Sequence, residues 1–294
     1  MSIGRNATYN LIGFLVPTFL SLATVPAYLA LIGAERYGIL ALAWLILGYF
    51  GLFDLGLGPA TSQRIASLKD ATPAERITAL DTAIVTNIGI GMIGAAILWP
   101  VAWYVFAHSI ELSPDLCAET LQAVPLLALA VPVATSLGVL TGALVGRERF
   151  LVTNRISVTS TALFQLFPLA VAWFMGPSLP QLIIASLAAR LVGLVMLWRA
   201  CRKEFGPISG RHFSRAQLRG LLAFGGWVTI TSMSGPVMVF SDRFFIGSLI
   251  GAVAVTVYTV PMEAMRRISG IATALANALF PRLAIAPQHE ADRI

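Results

Sequence analysis

The 294-residue sequence predicts an all-α, polytopic membrane protein with about eight transmembrane helices. Hydrophobic residues fill 57% of positions and charged residues only 12%, where an average soluble domain has about 25% charged. Apolar stretches of about 20 residues, the length that crosses a bilayer, recur between clusters of arginine, proline and polar residues. The tetrapeptide Leu31-Ile32-Gly33-Ala34 returns as Leu249-Ile250-Gly251-Ala252, and at the same offset of 218 residues Leu57, Ala60, Arg64 and Ala66 meet Leu275, Ala278, Arg282 and Ala284. Too few charges remain to coat a water-facing surface, which excludes a soluble bundle.

The spans fall near residues 9–32, 38–58, 82–107, 122–146, 157–175, 182–199, 221–247 and 253–276. The first is too long for the core of a cleavable signal and has only Arg5 ahead of it, so it is expected to remain as a helix. After the second span, residues 60–70 read as a short amphipathic helix lying along the inner surface. The connection from His108 to Gln122 carries Glu111, Asp115 and Glu119 without a base, and residues 176–181 are uncharged. The even-numbered connections hold the basic residues: Arg64, Lys69 and Arg76, then Arg147, Arg149 and Arg155, then Arg199, Arg202, Lys203, Arg211, Arg215 and Arg219. The opposite loops hold Arg36 alone. Basic residues gather on the cytoplasmic side, so both termini are expected in the cytoplasm. This asymmetry accounts for the net charge of +6, with attraction to anionic membrane lipids as a by-product and no need of a nucleic-acid partner.

Repeats of this period in an apolar chain mark transporters built from two pseudo-symmetric halves. The offset divides the chain into an N-terminal six-helix lobe over residues 1–218 and an incomplete C-terminal lobe of two helices over residues 219–294. Cys117 and Cys201 fall on opposite sides of the membrane, which leaves neither a disulfide nor a metal-ligand spacing, and no metal or cofactor is expected.

Charges at membrane depth carry the functional signal. Arg190 lies in the sixth span, Arg243 in the seventh, and Arg266 and Arg267 in the eighth. Each costs about 2.5–3.5 kcal/mol at a helix centre, so these arginines pair with acids, snorkel to an interface, or line a water-filled cavity. Asp242 and Glu263 are the available acids, as charge partners or as groups coupling transport to an H+ or Na+ gradient. Glu263 precedes Arg266 by three residues and Arg267 by four, spacings that share a helix face, which makes an intrahelical pair the first expectation. Asp242 and Arg243, adjacent on a helix, need partners elsewhere. Four bases against two acids favour an anionic ligand, and bracing or snorkelling remains the alternative for any one arginine. Proline supplies hinge candidates at Pro17 and Pro26 in the first span, Pro236 in the seventh and Pro261 in the eighth, against the reading that these are static kinks.

The segment Phe53-Asp54-Leu55-Gly56-Leu57-Gly58-Pro59-Ala60 has glycines suited to close helix contact, and Asp54 with Arg64 forms either a conformational latch or a structural cap at the cytoplasmic end. Together with Leu31 to Gly38 and Phe240 to Tyr258, the stretch Phe53 to Arg64 resembles the lipid-linked oligosaccharide flippases, the polysaccharide-export branch of the multidrug/oligosaccharidyl-lipid/polysaccharide exporter superfamily. The resemblance implies two six-helix bundles forming a V in the bacterial inner membrane. It also implies movement of an undecaprenyl-pyrophosphate-linked glycan between leaflets by alternating access, with cavity arginines holding the anionic headgroup. The departure is length: residues 219–294 supply two spans where six are expected, so the chain is expected to be a truncated or split member, inactive alone unless a second chain completes the C-terminal lobe. A cation-coupled multidrug antiporter and a non-transporting scaffold of a glycan-assembly complex are the alternatives. An enzyme is not expected, since His108, His212 and His289 sit in loops or the tail with no partnering motif.

Overall fold

The computed structural model describes residues 3–48, 55–110, 112–208, 212–232 and 234–266. In chain order these form α1 (Ile3–Gly48), α2 (Leu57–Ser67), α3 (Pro73–His108), α4 (Pro114–Gly146), α5 (Phe150–Met175), α6 (Leu179–Phe205), α7 (Arg215–Ser232) and α8 (Ser234–Leu249). A further helical segment, α9, covers residues 252–266. No strand occurs among the described residues. Helices α3 to α6 are each long and apolar enough to cross a membrane, and the chain is a multi-pass membrane protein.

The helical run of α1 is broken at Gly33, whose φ of 76° and ψ of 166° lie in a region open essentially only to glycine. A continuous helix would separate Tyr28 from Trp44 by about 24 Å at 1.5 Å per residue. Their rings instead lie 5.3 Å apart, so the chain reverses at Gly33 and α1 is a hairpin of two arms. The same happens at Gly251, with φ of 107°: Tyr258 on α9 donates its hydroxyl to Asp242 on α8 at 3.1 Å across 16 residues. The repeated tetrapeptide thus places its glycine at a chain reversal twice. The reversals fall at Gly33 and Gly251, while Pro26 and Pro261 lie inside helical backbone. Pro17 and Pro236 also fall within helices, with side chains outside the described set.

The two tips dock on one another. Thr256 Oγ1 donates to the Ala34 carbonyl at 2.6 Å, and a Cβ on Gly38 would overlap the Ala252 carbonyl. At this same end Arg36 pairs with Glu119 at 3.1 Å, and the other Glu119 oxygen accepts the Leu179 amide at 2.9 Å, joining α1, α4 and the start of α6.

The opposite end holds the basic connections. Glu204 accepts both Arg147 at 3.3 Å and Arg149 at 2.9 Å. His212 has Nδ1 3.0 Å from Oδ2 of the buried Asp81, while the Ser214 amide donates to Thr82 at 3.1 Å. The connection ahead of α7 is thereby fastened to α3. His108 packs on Tyr104 with ring centroids 5.0 Å apart, and His289 lies outside the described residues.

Several boundaries differ from the sequence reading: α3, α4 and α5 start at Pro73, Pro114 and Phe150, ahead of the expected 82, 122 and 157, and the expected span 221–247 falls across α7 and α8. Thr72 and Glu75 form a reciprocal capping box with Pro73 at the first position, so α3 starts nine residues before the expected span. Helix α6 runs on to Phe205, with Arg202 and Lys203 in a last turn whose carbonyls favour cations. The stretch read as amphipathic buries one face, with Ala60 and Ile65 fully buried while Gln63, Ala66, Ser67, Lys69 and Asp70 are exposed, and Leu57 ahead of it is fully buried as well. A Cβ on Gly142 would overlap the Gly58 carbonyl, and one on Gly225 the Leu55 carbonyl, so α2 meets α4 and α7 at backbone distance. Without a hydrophobic drive between helices in lipid, such small-residue contacts are what hold them together.

Candidate functional site

A cavity of about 540 Å³ lies between the α1 hairpin, α5, α6 and the α8–α9 hairpin. Its first wall comes from the reversal at Gly33, which brings Tyr28 and Tyr37 to 6.1 Å and seats Trp44 against both. Phe164 on α5 extends the aromatic wall, 5.6 Å from Trp44. Polar ends are satisfied: the Tyr28 hydroxyl donates to the Gln165 carbonyl at 2.7 Å and Trp44 Nε1 to Ser186 at 3.3 Å. These bonds lock the rings in place, as buried tyrosine and tryptophan require.

The second wall is cationic. Arg190 on α6, Arg243 on α8 and Arg266 on α9 all line the cavity. The Arg190 guanidinium sits 4.4 Å from the Phe164 ring centroid, a favourable place for a cation in a desolvated setting. Its Nε is buried without a hydrogen-bond partner among the described residues. Arg243 is only 4% exposed, and its Nη2 lies 3.8 Å from Glu263 Oε2, a longer separation than a direct hydrogen bond. This ion pair crosses between helices, alongside the intrahelical spacing of Glu263 to Arg266. Asp242 turns to Tyr258 and does not line the cavity, so Glu263 is its acid among the described residues.

Three of the four arginines singled out from the sequence therefore share one space with one carboxylate. Arg267 and Asp54 lie outside the described residues. Arg64 does not stand near the cavity: its Nε donates to Gln217 on α7 at 2.6 Å, beside the backbone contact of Gly56 with Gly225. The aromatic wall was not legible beforehand, because aromatic residues in an apolar span read equally as packing. The repeated glycine was the available signal, since a reversal there stacks residues 28 and 44. No group of three or more His, Cys, Asp or Glu able to hold a metal comes together among the described residues. A cavity with stacking rings on one side and guanidinium groups on the other can hold an anion carrying a flat or polyhydroxylated group.

Comparisons with known proteins bear on this arrangement. A family described as "Polysaccharide biosynthesis protein" matches residues 3–286. A "Putative O-antigen transporter" of Shigella flexneri is 28% identical over 287 residues, covering 96% of this chain and 67% of that protein. Among solved structures, the inward-facing conformation of a multidrug resistance MATE family transporter of the MOP superfamily superposes with a TM-score of 0.69 at 17% identity, over 93% of this chain and 63% of that one. The outward-facing conformation of a MATE family transporter gives 0.62 at 18% identity, over 96% and 65%. A MOP superfamily transporter from Pyrococcus furiosus, whose report describes reverse polarity of its binding pocket, gives 0.53 at 17% identity, over 94% and 69%. The chain thus spans about two thirds of the length of the relatives it matches.

Proposed function

Because the chain belongs to the polysaccharide biosynthesis protein family, and has the fold of MOP superfamily transporters, we propose that it takes part in exporting an undecaprenyl-pyrophosphate-linked oligosaccharide. The observation that carries this is the convergence of Arg190, Arg243 and Arg266 on a cavity with a single acid among its described lining residues. A pyrophosphate has the charge and acceptor oxygens that guanidinium donors match, and the aromatic wall suits the first sugars. Alternating access then opens the cavity to one leaflet at a time. On this reading the chain sits in the bacterial inner membrane with cytoplasmic termini, residues 1–218 act as one lobe and residues 219–294 open the second.

The test is binding of undecaprenyl pyrophosphate to the purified chain in nanodiscs. Replacing Arg190 with Gln should weaken it about tenfold, the equivalent of one hydrogen bond to a charged group. Unchanged binding would overturn the reading.

One observation favours a second reading, multidrug export: Glu263 stands in the cavity, where a deep carboxylate could couple a cation to an H+ or Na+ gradient. Efflux of a cationic dye, lost on Glu263→Gln, would support it against the glycan reading.

A further inference from the structure

A second cavity, of about 390 Å³, lies on the far side of the bundle between α3, α4 and α6. Its walls are apolar, with Ile88 and Val195 exposed at 49% and 47%, so it opens sideways to the acyl region. Arg199 and Arg202, one turn apart on α6, line the groove. Neither forms an ion pair among the described residues, whereas their neighbours Arg147 and Arg149 both engage Glu204. Asn87, 1% exposed, lines the same groove, and its Nδ2 donates to Ser136 at 3.0 Å. Its Oδ1 is buried with no partner among the described residues.

An apolar trough with two uncommitted guanidinium groups at the α6 end of its lining matches the acyl and headgroup layers of a glycerophospholipid. We propose that this groove binds one anionic phospholipid, with a phosphodiester on Arg199 and Arg202 and an acyl chain along Ile88 and Val195. Trp198 lines the same groove, and its amphipathic ring suits the headgroup boundary. Basic pockets between spanning helices on the cytoplasmic side are where anionic headgroups collect, and each base near such a surface contributes measurably. The site is separate from the arginine cavity and stands whatever cargo that cavity takes.

The experiment measures phosphatidylglycerol affinity for the full chain, purified and titrated in nanodiscs of phosphatidylcholine containing a rising fraction of phosphatidylglycerol. The pair R199Q/R202Q should weaken it about thirtyfold, about fivefold for each arginine. Val195→Trp keeps both charges but fills the groove and should weaken it as well. The pair K203Q/R215Q removes two exposed bases that do not line the groove and should weaken it several-fold less than R199Q/R202Q. Equal loss in K203Q/R215Q, or undiminished affinity after either groove variant, would overturn the proposal.

Discussion

Thr256 and Gly38 stand 218 positions apart, the offset of the internal repeat, and each faces the other copy's tip: Thr256 donates to the Ala34 carbonyl at 2.6 Å, and Gly38 lies against the Ala252 carbonyl. Ala34 and Ala252 are themselves repeat partners, so the contact is self-complementary, as at a two-fold axis. Thr256→Val should lose about 1 kcal/mol, one neutral hydrogen bond. Gly38→Val should lose more, because its side chain collides with backbone that cannot turn aside. Thermal unfolding of both variants in one detergent gives the order, and the reverse order would show that the tips do not touch.

The reversals at Gly33 and Gly251 make a second prediction. Alanine at either position is forced into a left-handed or extended-positive backbone, at a cost of about 1–3 kcal/mol. Gly89 is the internal comparison, being helical with open space around it. Alanine there should be neutral or stabilise by up to about 1 kcal/mol. Equal melting of all three variants would contradict the hairpin geometry.

Arg243 and Glu263 should be energetically coupled. Breaking a buried pair costs about 3–5 kcal/mol, and the one-third exposure of the Glu263 side chain brings this pair below that range. A double-mutant cycle over R243Q, E263Q and both together should return a coupling above about 0.5 kcal/mol. Strict additivity would mean that the 3.8 Å approach is incidental.

The attachment of the connection ahead of α7 can be read by hydrogen exchange. Asp81→Ala removes the acceptor of the His212 amide, and Thr82→Ala that of the Ser214 amide. Each variant should speed exchange mainly at its own amide, with the α5 and α6 amides unchanged. Protection that persists in both would place the anchoring elsewhere.

Span positions were legible in the sequence because hydropathy acts over each helix by itself. The ends were less so: the start of α3 was set by the Thr72 capping box, and α2 was drawn inward by glycine contacts with α4 and α7. Arg190, Arg243 and Arg266 were identifiable as deep charges, since the cost of burying them holds in any fold. The Phe164 ring beneath Arg190 was not, being 26 residues away on a different helix.

By itself the sequence determined the membrane class, the succession of spans, the repeated Leu-Ile-Gly-Ala segment and the set of charges that must find shelter from lipid. Each of these follows from local composition or spacing. The tertiary structure alone decided that Gly33 and Gly251 turn the chain back, that Glu263 reaches Arg243, and that three arginines look into one aromatic-walled cavity. Such partnerships depend on distances between helices, and a helix's own periodicity sets which face a residue occupies without setting what that face will meet.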